Sequence, residues 1–126
     1  AQSKIVRYAK QYEQTFTGLD DEIKGYDAAL ESLEQQKLTL ESSLQVQQSS
    51  IEAQNRRLEA TRASGDINGY NNAVPVYNNQ IREYNLAISK LKQIVANYNE
   101  IVKKRNTLAT TQNDLAKQLD SNYQPL

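Results

Sequence analysis

The stretch YNNAVPVYNNQIREYNLAISKLKQIVANYNEIV, residues 70–102, decides the fold of this chain. Tyr followed by Asn recurs every seven residues, at Tyr70-Asn71, Tyr77-Asn78, Tyr84-Asn85 and Tyr98-Asn99, with Leu91-Lys92 in the one remaining place. Four residues after each of these stands an aliphatic: Val74, Ile81, Ile88, Val95 and Val102. Large apolar side chains alternating at four and three residues place one stripe of a helix against another helix, as in a coiled coil.

The same alternation runs through the first half of the chain. Ile5, Ala9, Tyr12, Phe16, Leu19, Ile23, Tyr26, Leu30, Leu33, Lys37, Leu40, Leu44, Gln47, Ile51, Gln54 and Leu58 succeed one another without a slip of phase. Gly18 and Gly25 fall on the outer face, where each costs about 1 kcal/mol of helix propensity and leaves the stripe intact. Thr17 with Asp20 offers a fresh helix start, but the unbroken phase favours one helix over residues 3–63.

Between the two stripes, Ser64-Gly65-Asp66-Ile67-Asn68-Gly69-Tyr70-Asn71-Asn72 is a loop by composition. Gly65 suits a helix C-cap, Asn68-Gly69 is a turn pair, and Asn71 or Asn72 can cap the second helix. The expectation is therefore a tip loop over 64–72 and a second helix over 73–121, with Pro75 in its first turn and Pro125 beyond its end. The alternative starts the second helix at Asp66 and puts a kink at Pro75. Either way the fold class is all-α: a single long antiparallel two-helix coiled-coil hairpin. Matching the two frames sets facing residue numbers to a sum of 135. Leu58 then faces Tyr77, Ile51 faces Tyr84, Leu44 faces Leu91, Leu33 faces Val102, and Phe16 faces Leu119. Lys37 meets Tyr98, Gln54 meets Ile81 and Arg105 meets Leu30. Most of the Tyr ladder is then internal, and only Tyr70 at the tip escapes.

Toward its end the second helix gains another apolar line, Ile94, Ile101, Leu108 and Leu115, beside Val95, Val102, Ala109 and Ala116. This face is wider than one partner helix needs. Either the stripe drifts round the helix, or these four residues are an oligomer face on which two hairpins dimerise into a four-helix bundle.

Composition narrows the function. The 126 residues are 38% hydrophobic and 24% charged with four Gly and two Pro, and the mean hydropathy is -0.78. This suits one domain of long helices with narrow apolar seams. Lys plus Arg and Asp plus Glu number 15 each, so the chain lacks the positive excess that nucleic acid requires. The basic clusters Arg56-Arg57 and Lys103-Lys104-Arg105 read as solvated helix surface. With no Cys and no His, disulfides, thiolate or imidazole catalysis and the usual zinc ligand sets are excluded. No run approaches the roughly 20 apolar residues that span a bilayer, so no membrane insertion by this segment is expected. Ala1 is not a translation start, and the expectation is a chain processed or excised from something longer.

Few motifs offer chemistry. Asp20, Asp21 and Glu22 are adjacent and point in different directions on a helix, so they make no paired acid–base site. Asp66 with Asn68 resembles the opening of a calcium loop without its further ligands. No enzyme, metal or cofactor is expected. The candidate interaction site is the tip, Asp66, Ile67, Asn68 and Tyr70, where a partner protein or glycan would dock.

The Tyr-Asn heptads YNNQIREYN and ANYNEIVKKRN, within residues 70–106, resemble those of bacterial envelope coiled-coil stalk segments. Some of those stalks lie between an N-terminal membrane anchor and a matrixin-like metalloprotease domain. This chain has no His-Glu-x-x-His motif, so no protease role carries over. The resemblance implies an extracytoplasmic spacer or stalk; a cytoplasmic structural module is the alternative.

Overall fold

In a computed structural model the chain forms two long helices packed against each other, α1 (Gln2–Ala63) and α2 (Ile67–Asn122). The backbone is described for residues 2–122, and side chains for residue 7 and residues 9–119. The side chain of Ile5 and the whole of Pro125 lie outside the described residues.

α1 is continuous for 62 residues, through both Gly18 and Gly25. A Cβ built on either glycine meets nothing within 4 Å. Gly25→Ala should accordingly raise stability by about 1 kcal/mol, read from urea denaturation with helical ellipticity as the signal. Thr15 and Thr61 in α1, and Thr107, Thr110 and Thr111 in α2, each donate a hydroxyl hydrogen bond to the carbonyl four residues earlier. That back-bonding satisfies each hydroxyl within its own helix, at a slight cost in helix stability.

The tip follows the alternative start of α2 at Asp66 and not the loop over 64–72. α2 starts at Ile67, so 67–72 are its first turns, and Pro75 lies inside it. The reason is local capping. Asp66 accepts a hydrogen bond from the Gly69 N–H through Oδ1 (2.9 Å), and its own carbonyl accepts from the Tyr70 N–H (3.0 Å). These are the bonds of an N-cap residue. Asn68-Gly69, a turn pair by composition, is therefore helical. Gly69 is small because a Cβ there would sit 2.2 Å from Asp66 Oδ2. The actual reversal is Ser64-Gly65-Asp66, with Gly65 at a φ of +79° that side chains rarely adopt. Asp66→Ala should cost about 1 kcal/mol, measurable as a lowered urea midpoint with an unchanged slope.

Moving the turn moves the register. Ala63 and Ile67 flank the reversal, and their numbers sum to 130. The ion pair that joins the helices, Asp27 with Arg105, sums to 132. Facing numbers therefore sum to about 131 and not 135, a shift of roughly one helical turn. Arg105 meets Asp27, one turn before the Leu30 expected opposite it.

The helices divide into two units, each a two-helix segment: Glu34–Ala96, and Ala1–Leu33 with Asn97–Leu126. In the first of these, the register sets Leu58, Ile51 and Leu44 of α1 level with the slimmer Ala73, Gln80 and Ala87 of α2. Gln54 and Gln47 come level with Tyr77 and Tyr84, so each ring has an unbranched side chain opposite it. Leu44, Leu58 and Ile94 are buried here. In the other unit, Leu30, Ile23 and Phe16 come level with Ile101, Leu108 and Leu115. Ile23 is buried, while Leu30, Phe16, Ile101, Leu108 and Leu115 are half-buried. Ala9, expected in the stripe, is exposed.

The α2 stripe is thus three positions wide in every heptad but one. Residues 73 and 74, 80 and 81, 87 and 88, 101 and 102, 108 and 109, and 115 and 116 are half-buried in adjacent pairs. At the remaining pair the choice is sharp: Ile94 is 6% exposed and Val95 38%. Ile94, of the second apolar line, is buried in the hairpin's own seam.

Candidate interaction surfaces: the tip and the seam

At the tip, Arg62, Gly65, Asp66, Ile67 and Tyr70 line a concavity of about 80 Å³. Of the four residues singled out in the sequence, Asp66, Ile67 and Tyr70 are brought together; Asn68 is exposed and does not line it. Asp66 holds the α2 cap, so its carboxylate has a structural task. Ile67 is 71% exposed. Tyr70 is half-buried like Tyr77, Tyr84 and Tyr98, and so is not the exception in its ladder. Arg62 stands in the last turn of α1, where its charge complements the helix dipole. Arg62 and Gly65 escape a sequence reading of this site, because composition centres the loop too late.

Ile94 is buried, and Ile101, Leu108 and Leu115 are half-buried, within the hairpin itself. Among the described residues the large aliphatic side chains that stand out in solvent are Ile67 at the tip and Leu38, Val46, Val76 and Leu86 along the arms, with Val95 at the margin.

Charged groups sit at the seam edges. Arg105 donates from Nε to Asp27 Oδ1 and is held above its ordinary pKa by that hydrogen bond and the carboxylate's charge. Lys24 is raised in the same way by its hydrogen bond and ion pair with Asp20 (3.0 Å). Lys37, half-buried on the α1 stripe, reaches Glu41 at 3.7 Å. All these pairs are substantially solvated and fix side-chain geometry more than they stabilise the fold.

In the unit 34–96, Val46, Gln47, Ser50, Ile51, Gln80 and Glu83 line a groove of about 200 Å³ between the helices. Gln47 Oε1 and Gln80 Oε1 are buried there and accept no hydrogen bond from the chain. Such a carbonyl costs on the order of 1–3 kcal/mol until a donor reaches it.

Among the described residues no three His, Cys, Asp or Glu side chains gather where a metal ion could be held. No described helix is long and apolar enough to cross a membrane. No family model, curated protein or solved structure matches the chain.

Proposed function

We propose that this chain is a non-catalytic structural module, a coiled-coil spacer that also offers a surface for protein–protein interaction. The observation that carries the reading is the pair of unbroken helices, 62 and 56 residues long, closed by a three-residue reversal. An α1 stripe that keeps phase over so many heptads makes length a property of the sequence. The Tyr-Asn heptads and their likeness to bacterial envelope stalks support an extracytoplasmic setting for it. A partner protein or a second copy of the chain is the ligand class that suits such a surface.

A second reading has its own observation. Ile67 projects at the tip beside Tyr70 and Arg62, an apolar point ringed by polar groups that suits an adaptor docking a protein or glycan.

One experiment in cells carrying the gene separates the two. Deleting residues 19–25 with 106–112 removes one heptad from each arm and preserves the register. The spacer reading predicts that this shortened chain remains helical and loses function, while Ile67→Ser with Tyr70→Ala is tolerated. A functional shortened chain and a null tip variant would replace the spacer with the adaptor.

A further inference from the structure

The groove of Gln47 and Gln80 has properties that a spacer does not need. Its walls continue into exposed aliphatics. Val46 lines it and is 67% exposed. Val76, one heptad before Glu83, and Leu86, three residues after it, extend the same face of α2, and Leu86 is 65% exposed. Exposed valine at the rim of this groove and exposed leucine on the neighbouring turn of α2 offer apolar surface to a partner.

The chemistry of this face fits a copy of itself. A glutamine amide carries both donors and an acceptor, so a neutral amide face is self-complementary. Glu83 and Lys90 stand seven residues apart on one line of α2, with Leu86 between them. A two-fold axis between Leu86 and Ala87 sets Glu83 of each copy against Lys90 of the other. The same axis brings Leu86 of each copy beside Leu86 and Ala87 of the other. Such isologous pairing is the commonest symmetry of soluble oligomers. The hairpin alone also buries little: among its described residues four apolar side chains are buried and none completely.

We propose that this face of the unit 34–96 is the seat of a second copy of the chain, with the two α2 helices antiparallel across Leu86. The proposal rests on the reading of the chain as an interaction module and names its partner. It replaces the line Ile94, Ile101, Leu108 and Leu115 as the oligomer face.

Light scattering and sedimentation test it on the whole chain. The expected mass is twice the 14.3 kDa of one chain. Leu86→Glu should return it to one chain with its helical ellipticity kept, since Leu86 contributes little to the hairpin seam. Glu83→Lys should weaken the dimer at least tenfold, and Glu83→Lys combined with Lys90→Glu should restore it. Leu86→Cys should give a crosslinked dimer on mild oxidation, in a chain with no other thiol. A single-chain mass for the unaltered protein at about 100 μM, or a dimer indifferent to Leu86→Glu and to the charge exchange, would overturn the proposal. Either result leaves the spacer to be judged by the heptad deletion alone.

Discussion

Replacing Ile94 by alanine should destabilise the hairpin by about 3 kcal/mol, against less than about 1 kcal/mol for Val95→Ala. The two residues are neighbours of similar chemistry, and only their place on the helix differs. Ile94 loses nearly all its surface to the fold, while Val95 keeps more than a third of its own. Truncating Ile94 removes three carbons from water-free surroundings and leaves a cavity that two long helices close only in part. Urea denaturation of the two variants reads the difference directly. The reverse order would mean that α2 presents the Val74–Val102 line to α1, as the heptad count alone suggests.

Pro75→Ala should stabilise the chain by about 2 kcal/mol. Pro75 is eight residues inside α2 and exposed. Without an N–H it leaves the Asn71 carbonyl out of the helical ladder, and its ring crowds that carbonyl. Alanine restores the bond and removes the crowding, and no core contact is lost because the ring faces solvent. The sign of this change locates the start of α2. If the helix began after Asn72, Pro75 would lie in its first turn, where proline is well suited, and alanine would bring no gain. A raised melting temperature and urea midpoint are the expected result.

The helices themselves are legible in the sequence because a 4-3 spacing held over many heptads has few other meanings. The register is not. α2 carries two lines beside its Tyr ladder, one with large side chains toward the tip (Val74, Ile81, Ile88) and one with large side chains toward the termini (Ile94, Ile101, Leu108). A count of apolar residues cannot choose between them, because the chain changes line near Leu91. Turn chemistry misleads in the same direction. Asn68-Gly69 is a strong turn pair in isolation, but Asp66 captures the Gly69 N–H and makes the pair helical. Gly65, legible as the C-cap of the first helix, takes the positive φ of that role and marks the real reversal.

The interaction surfaces are less legible for a related reason. Ile67 stands out by its place between two polar runs, and the fold leaves it exposed. Asp27 carries no signal of its own, being an ordinary acidic residue beside the stripe; only the corrected register brings it to Arg105. Gln47 reads as a tolerated polar residue in the stripe, and Gln80 lies off the expected frame altogether. Their common groove exists only once Ile51 and Gln80 are level.

Everything else in this hairpin follows from its register, which engineered cysteines can read in a chain that has none of its own. A disulfide forms only when two Cα atoms lie within about 7 Å. The variant Leu58→Cys with Ala73→Cys should crosslink readily within one chain under mild oxidation, whereas Leu58→Cys with Tyr77→Cys should crosslink slowly and lose helicity when forced. Fast closure of the second pair and none of the first would restore the sum of 135 and contradict this hairpin.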